Sequence, residues 1–315
     1  MLTRRMTIAG AAAAGALTAA AAPAASITPP DFAVPEPACD CHQHIIGDPV
    51  RFPMVPTRTY TPPQAPLSAL QALHRALKIQ RAVLVQPSFY GTDNACLLDA
   101  LRQLGASGRG IVVIDDKTPE ATLDQMARLG ARGVRINQTG GLHDPAALKQ
   151  VIQAVSNRIA SRGWHVQTFL PLDTIAALQS TFAALPTPIV FDHFGGATAA
   201  GTKQPGFDAL CDLLKGGNCY VKLSAPYHAS NDAPTYPEIT PLAHALIAAR
   251  VDRLIWGSDW PHTNSDVPPG HTPQDINPFY KVDNGKLFNL LPVWAPDPAA
   301  RRQILVNNPA RLFGF

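Results

Sequence analysis

The sequence predicts a single α/β domain, a (β/α)8 TIM barrel, and three observations lead to this fold class. Short runs rich in β-branched and aromatic residues alternate eight times with helical patterns. About 290 residues follow the N-terminal segment without a low-complexity break, which is a length at which one-domain α/β barrels occur. Polar residues end one strand after another. Because an open doubly wound sheet would show the same alternation, these polar strand ends are what favours a closed barrel.

The first 24 residues are predicted to be an export signal. Arg4 and Arg5 form a charged head, an alanine-rich apolar stretch follows, and residues 22–24 offer a small-residue cleavage site. The paired arginines indicate the twin-arginine route, with an ordinary secretory signal as the alternative. We therefore expect a periplasmic protein in which residues 25–36 form a flexible linker and residues 37–315 form the barrel. No later segment is apolar for long enough to span a bilayer.

The charge of the chain argues against a nucleic-acid partner. Without Arg4 and Arg5, Lys plus Arg falls from 26 to 24 against 23 Asp plus Glu, a net charge of +1. No basic stripe is present to bind phosphates. A small-molecule lactone or carboxylate is the expected partner, neither nucleic acid nor membrane is expected, and the sequence does not define an oligomeric state.

The five cysteines form no spaced framework, and their odd number leaves at least one thiol free. Cys39 and Cys41 are expected to be core residues on the strand face opposite His42 and His44. A disulfide elsewhere, such as Cys211 with Cys219, is the less favoured alternative.

Eight strands can be placed in order along the chain. They are residues 38–44, 81–87, 110–115, 133–137, 164–170, 188–193, 219–224 and 253–259. Three helices have clear starts, since Thr118, Asp144 and Asp297 each stand before a proline at the first helical position. Long proline-containing loops follow strands 1 and 8, over residues 45–66 and 260–284. Both loops are expected to overhang one pocket, where Arg51, Arg58 and Tyr60 could help to select an anionic substrate.

Ionisable residues at the strand ends indicate a site. His42 and His44 end strand 1 and point the same way because they are two residues apart, His193 ends strand 6, and Asp259 ends strand 8. A single polar residue at a strand end is more often a loop junction than a catalyst. Four such groups at one end of three strands would cost several kcal/mol to bury without a purpose. His165, by contrast, is expected to pack outside the barrel.

The ordered set of HxH on strand 1, FDH on strand 6 and GSDWPHTN on strand 8 resembles the amidohydrolase superfamily. More narrowly, residues 37–315 resemble the family 2 branch, which includes 2-pyrone-4,6-dicarboxylate lactonase and related sugar-lactone and muconolactone hydrolases. This resemblance implies a hydrolase that opens the ester bond of a small lactone. It implies Asp259 as the base that activates water, with His42, His44 and His193 around the carbonyl. It also implies substrate binding by Tyr60, Ser88, Arg135, His262 and Asn264.

The sequence departs from this pattern where the lactonase uses additional arginines for a second carboxylate. Gly141, Gly196 and, near strand 7, Tyr227 and His228 stand at the matching places. Because arginine is suited to a bidentate grip on carboxylate, its loss favours a lactone with one carboxylate or a neutral sugar lactone. A lactone isomerase, a metal-dependent decarboxylase and a binding protein without catalysis are the alternatives.

No cofactor is predicted for the reaction. The alternative is one divalent metal, zinc, held by His42, His44 and Asp259, which is a sufficient set of three protein ligands. Strand 5 offers Gln167, a poor ligand, where the superfamily places a third nitrogen, and strand 4 offers Asn137 where it places a bridging group. His193, at the end of strand 6, is a further candidate ligand near this set. Metal-free catalysis is the favoured interpretation.

Overall fold

The computed structural model describes residues 27–137 and 144–315, and its central feature is one eight-stranded parallel sheet ordered β1 to β8. The predicted barrel is confirmed, and each strand overlaps its predicted range. The strands are β1 (Cys39–Gln43), β2 (Arg81–Val85), β3 (Gly108–Val112), β4 (Ala131–Ile136), β5 (His165–Thr168), β6 (Ile189–Phe191), β7 (Cys219–Ser224) and β8 (Leu254–Gly257).

The barrel is closed by contacts between β1 and the end of β8. The backbone N–H of Asp259 donates to the carbonyl of His42 at 2.8 Å, and that of His44 donates to the carbonyl of Trp260 at 2.8 Å. The wholly buried carboxylate of Asp40 accepts the N–H of Ser258 at 2.9 Å. These bonds bring the first and last strands of the chain into register, so residues separated by more than two hundred positions meet.

The helices of the described residues pack around the strands and outnumber the eight expected. They are α1 (Leu67–Leu77), α2 (Ala95–Leu104), α3 (Glu120–Arg128), α4 (Pro145–Ile159), α5 (Leu172–Ala177), α6 (Gln179–Ala183), α7 (Phe207–Gly216), α8 (Thr240–Arg250), α9 (Asn284–Phe288), α10 (Leu291–Trp294), α11 (Pro298–Arg302) and α12 (Asn308–Phe313). The predicted caps are confirmed at Asp144 and Asp297, whose carboxylates accept helix N–H groups. The prediction for Thr118 is wrong, because its hydroxyl instead donates to Asp115 at 2.7 Å.

The inside of the barrel corrects two predictions about side-chain direction. Cys39 and Cys41 belong to the apolar cluster that fills the barrel interior, and the pairing of β1 with β2 shifts between Asp40 and Gln43. This irregularity interrupts strict alternation, so the cysteines do not lie on a face opposite His42. All five cysteines are free thiols, so the alternative of a Cys211–Cys219 disulfide is wrong.

His165 is likewise buried, with its ring packed edge-on against Phe313 at 5.4 Å between ring centroids. Residues two apart on a strand share a face, and Gln167 points inward, so His165 points inward too. Its expected place outside the barrel is wrong.

The segment before β1 lies against α9. The Thr28 hydroxyl donates to Asp283 at 2.6 Å, and the rings of Phe32 and Phe288 meet edge-on at 4.9 Å. Residues 27–36, assigned to a flexible linker above, therefore make specific contacts. The predicted signal at residues 1–24 lies outside the described residues, as does Gly141. Among the described residues, no helix is long and apolar enough to cross a membrane.

Candidate active site

A cavity of about 360 Å³ opens at the carboxyl ends of the strands, where a barrel of this type builds its site. It is lined by residues from most of the strands and from both long loops. These are His44, Thr59, Tyr60, Pro87, Ser88, Arg135, Ile136, Asn137, Phe169, His193, His228, Asp259, Thr263 and Ser265.

The Asp259 carboxylate lies in the cavity wall and is surrounded by imidazoles. Its Oδ1 lies 3.4 Å from Nε2 of His42 and 3.6 Å from Nε2 of His44, and its Oδ2 lies 3.5 Å from Nε2 of His228. Burial alone would raise the pKa of Asp259, but the surrounding imidazoles, His193 foremost, outweigh burial and hold this pKa well below its ordinary value. Asp259 is therefore ionised at neutral pH.

Tyr227 gives Asp259 its shortest hydrogen bond. The phenol donates to Oδ2 at 2.5 Å and also lies 3.1 Å from Nδ1 of His262. Burial, followed by the charge of Asp259, raises the pKa of Tyr227 well above its ordinary value, so the phenol stays protonated and acts as a donor. His262 is buried and held from its other side by Asn284, at 3.0 Å. This row of side chains fixes Oδ2 of Asp259 and leaves Oδ1 facing His42 and His44.

Two histidines of the cavity wall have hydrogen bonds that orient their rings. Nδ1 of His44 lies 2.8 Å from the carbonyl of Val85, so this nitrogen carries a proton and the ring is oriented with Nε2 facing Asp259. Nδ1 of His193 lies 2.9 Å from the Ser224 hydroxyl. Burial lowers the pKa of His193 well below its ordinary value, so this ring is neutral at pH 7.

A network of buried charges lies beneath the cavity. The ammonium of Lys222, which is wholly buried, donates to Gln167 at 2.8 Å and lies 3.2 Å from Asp192 and 3.3 Å from Nδ1 of His42. Burial would raise the pKa of Asp192, but Lys222 and His42 hold it well below its usual range. Burial, and next the charge of Lys222, lowers the pKa of His42 to about 4. His42 is therefore neutral and rigidly held.

The backbone is strained at this site. His193, Asp259 and His262 have φ values of 51°, 61° and 68°, in the left-handed region that residues with a side chain rarely adopt. Such strain persists where surrounding contacts demand it and is concentrated at functional sites. The contacts of Asp259 and His193 described above hold the backbone in this conformation.

The two long loops meet above the cavity, as predicted. The backbone N–H of Asn277 donates to the carbonyl of Thr61 at 2.8 Å, and the Thr61 hydroxyl donates to the carbonyl of Pro273 at 2.6 Å. Tyr60 of the first loop lies 3.5 Å from Thr263 of the second, and both line the cavity. The loops thus form an ordered rim.

The structure brings most of the predicted site residues to this cavity. Asp259, His44, His193, Tyr60, Ser88 and Arg135 line it. His42 has no exposed surface and supports Asp259 from behind, so it does not lie beside a substrate carbonyl. Arg51 pairs with Asp99 at 2.6 Å and Arg58 with Thr61 at 2.6 Å, and neither lines the cavity.

The structure does not bring His262 and Asn264 to the cavity. The Asn264 side chain accepts the N–H of Asp266 at 2.9 Å, and His262 supports Tyr227. The left-handed backbone at residues 259 and 262 turns the chain, so Thr263 and Ser265 face the cavity instead.

Sequence reasoning missed several functional neighbours. Phe169, Thr263 and Ser265 were not predicted to line the cavity. Tyr227 was noted only as a departure from the lactonase pattern, and the pairing of Asp192 with Lys222 was not foreseen. The aspartate in FDH and the inward-facing lysine of β7 were the available signals, since a charge inside a barrel requires a partner.

Three buried groups have donor atoms close enough for a metal ion. One ligand atom each from His42, His193 and Asp259 lies within 4.8 Å of the others, and Nε2 of His42 has no hydrogen-bond partner among the described residues. Two imidazole nitrogens and a carboxylate oxygen are a donor set that fits zinc. The structure therefore places His193 where the metal alternative had placed His44. Gln167 is engaged by Lys222 and Asp192 and offers no third nitrogen.

Comparison with known proteins places this architecture in a family. The chain is 35% identical over 294 residues to a 4-sulfomuconolactone hydrolase of Rhizobium radiobacter, covering 93% of this chain and 95% of the relative. It is 32% identical to a 2-pyrone-4,6-dicarboxylate hydrolase of Comamonas testosteroni, covering 90% and 92%, and 28% identical to a D-galactarolactone isomerase of Agrobacterium fabrum, covering 91% and 94%.

A solved structure from Agrobacterium tumefaciens superposes with a TM-score of 0.77 at 27% identity, covering 91% of this chain and 97% of that one. The family model described as amidohydrolase matches residues 39–315. The matched range begins with β1 and ends with the last residue, so it includes every strand that carries a site residue. The protein therefore belongs to amidohydrolase family 2.

Proposed function

We propose that this protein is a lactonase, which opens the ester bond of a small anionic lactone by attack of water, with Asp259 as general base. The observation that carries the proposal is the ionised Asp259 carboxylate in the cavity wall, with one oxygen fixed by Tyr227 and the other facing His44. The lactone-hydrolase relatives support the same reaction.

The geometry offers a place for the attacking water. Oδ1 of Asp259 lies 3.6 Å from Nε2 of His44, and both residues line the cavity. A water at this point donates one proton to Oδ1 of Asp259. The lone pairs of the water then face the cavity, and Asp259 takes the proton as the water attacks the carbonyl.

Two groups could stabilise the oxyanion that forms on the carbonyl. The neutral ring of His193 can donate from Nε2 when Nδ1 accepts the Ser224 hydroxyl, and Arg135 supplies a fixed positive charge. A single such donor is worth roughly 100- to 1000-fold in rate. The His42, Lys222 and Asp192 network keeps its charges in place beneath the reacting atoms.

Arg135 would also bind the carboxylate of the substrate. It is the one lysine or arginine among the described lining residues, and contacts with Asp192 at 3.7 Å and with the carbonyl of Gln86 at 3.5 Å orient it. One guanidinium grips one carboxylate in a bidentate manner. This arrangement supports a monoanionic lactone, with Tyr60 and Ser88 as further polar contacts.

We propose that the reaction proceeds without a metal. His42, His193 and Asp259 would hold a divalent ion if one were bound, and the ion would polarise the lactone carbonyl. However, Gln167 is held by Lys222 and Asp192 and offers no third nitrogen, and the buried ammonium of Lys222 lies 3.3 Å from Nδ1 of His42, where its charge disfavours a cation. Metal content and hydrolysis rate, measured together before and after chelation, test this step. Loss of activity on chelation and its return with zinc would contradict it.

The experiment that tests the proposed function is a panel of lactones, including muconolactones and aldonolactones, followed by proton release. Hydrolysis produces a carboxylic acid and releases a proton at neutral pH. The D-galactarolactone isomerase relative supports a second candidate, because isomerisation needs the same polarised carbonyl with a substrate hydroxyl as acceptor. Isomerisation consumes lactone without net proton release. Consumption of a lactone without release of acid would thus identify the reaction as isomerisation and not hydrolysis. No consumption of any lactone would overturn both candidates.

We also propose that the protein is exported to the periplasm by the twin-arginine route, because Arg4 and Arg5 precede an alanine-rich apolar stretch. Cell fractionation should find a mature chain beginning after Ala24. Replacing both arginines by lysine should retain the uncleaved protein in the cytoplasm. An uncleaved wild-type chain in the cytoplasm would refute the export proposal.

A further inference from the structure

A second cavity of about 240 Å³ adjoins the first. The two share Phe169, His193 and His228, so the second opens beside the atoms proposed to react. It lies on the β5 to β7 side of the barrel, whereas Tyr60, Ser88 and Arg135 lie on the β1 to β4 side. A molecule whose carbonyl sits at Asp259 can therefore extend in two directions.

The second cavity differs chemically from the first. Apart from the three shared residues, its lining is Leu170, Pro171, Gly196, Ala197, Thr198 and Ala229. The one polar side chain in this set, Thr198, already hydrogen-bonds to Gln204 at 3.2 Å. Among the described residues the second cavity thus offers an apolar surface without a charged group, while the first contains Arg135.

Phe169 forms the wall between the cavities and is 40% exposed. Its ring meets His193 edge-on at 5.0 Å and lies 6.1 Å from His228. An exposed aromatic ring at the mouth of a cavity is a surface that a ligand can cover, with a gain from each apolar group removed from water.

The loops after β5 and β6, which line the second cavity, are closely packed against each other at Gly196. Gly196 has a φ of +72°, and a Cβ at this position would lie 2.1 Å from the carbonyl oxygen of Leu170. A larger residue therefore cannot enter here without moving the loops after β5 and β6. An engineered apolar cavity of about 150 Å³ holds benzene, so a cavity of 240 Å³ has room for a phenyl ring or a short alkyl chain.

We propose that the second cavity is a subsite for an apolar substituent on the lactone ring. The substrate would then carry one carboxylate, bound by Arg135, and an alkyl or aryl group, bound against Phe169. This inference rests on the proposed lactonase function for the identity of the ring. The subsite itself can be tested by binding alone.

The probes for binding are five-membered lactams, which present a cyclic carbonyl like that of a lactone but resist hydrolysis. The parent probe is 5-oxopyrrolidine-2-carboxylate, and its 3-butyl and 4-butyl derivatives carry the apolar chain. Calorimetry gives a Kd for each. Since each buried methylene is worth roughly fourfold in affinity, we expect the better butyl isomer to bind the wild-type protein at least about tenfold more tightly than the parent.

A pair of variants tests the location of the subsite. Ala229→Leu places a larger side chain in the second cavity, and it should reduce the affinity ratio to about threefold or less. Ala199→Leu makes the same change at an exposed position outside the lining, and it should keep the wild-type ratio. Thermal unfolding checks that both variants are folded.

The subsite is refuted if the wild-type protein binds neither butyl isomer more tightly than the parent, a result that does not depend on the variants. A folded Ala229→Leu protein with the wild-type ratio would also refute it. Turnover of the corresponding lactones separates the two proposals. Tight binding of a butyl lactam without hydrolysis of any lactone would overturn the lactonase and support the subsite. Hydrolysis of the parent lactone without tighter binding of either butyl lactam would support the lactonase and overturn the subsite.

Discussion

Replacing Tyr227 by phenylalanine should move the acid limb of the pH profile of kcat/KM. The phenol donates to Oδ2 of Asp259 at 2.5 Å in a partly buried site, and a hydrogen bond to a charged group contributes about 1.5 to 3 kcal/mol. Because this bond favours the ionised carboxylate, its loss raises the pKa of Asp259, by about 1 to 2 pH units at 1.36 kcal/mol per unit. Activity that requires ionised Asp259 should then be lost at a correspondingly higher pH as the solution is acidified.

The assay is the initial rate of lactone opening from pH 8 down to the lowest pH at which the protein stays folded, because the pKa of Asp259 lies well below its ordinary value. The ester is detected directly, since proton release cannot be followed across this range. Tyr280→Phe is the matched control. The Tyr280 ring packs on Tyr227 at 5.5 Å between centroids, but its hydroxyl lies 3.3 Å from Asp266 and does not reach Asp259. It should leave the acid limb in place. An unshifted acid limb in a folded Tyr227→Phe protein would refute the reasoning.

Two further predictions concern stability and substrate binding. Burial lowers the pKa of His165 to about 3, and both of its ring nitrogens lack hydrogen-bond partners among the described residues. Between about pH 6.5 and pH 3 the unfolded chain therefore binds one more proton than the native state. The free energy of unfolding falls as the pH decreases through this window. His165→Leu should remove about 1.4 kcal/mol per pH unit from that slope in urea titrations, and identical slopes would disprove the assignment. Arg135→Lys should raise KM for a carboxylated lactone by about tenfold or more, because an ammonium cannot bind a carboxylate in a bidentate manner. KM for a neutral lactone of the same ring size should barely change. Equal increases in KM for both lactones would rule out the carboxylate contact.

The order and number of the strands could be predicted from the sequence because each strand is a short buried run and parallel strands pair in chain order. The convergence of His44, His193 and Asp259 followed from the same rule, since all parallel strands of a barrel end at one face. Residues 38–44 also show where this reasoning stops. Strict alternation places Cys41 and His42 on opposite faces, and only the shift in pairing between Asp40 and Gln43 changes this.

The parts of the site that could not be predicted depend on backbone conformations with no strong sequence signal. Asp259 and His262 adopt left-handed φ values without being glycine, so the chain after β8 presents Thr263 and Ser265 in place of His262 and Asn264. Tertiary contacts impose this conformation. The partners of Lys222 lie on β1, on β5 and directly after β6. A sequence shows that a buried charge needs a partner without showing which partner it finds.

The most direct test of the account is the rate of lactone opening by Asp259→Asn, measured alongside its thermal stability and its affinity for 5-oxopyrrolidine-2-carboxylate. The amide keeps the shape of the carboxylate but cannot accept the proton of water, and a general base is worth about 100- to 10,000-fold. We predict a loss of turnover in that range or beyond, in a folded protein that still binds the lactam. Hydrolysis at the wild-type rate by this variant would contradict the central role given to Asp259.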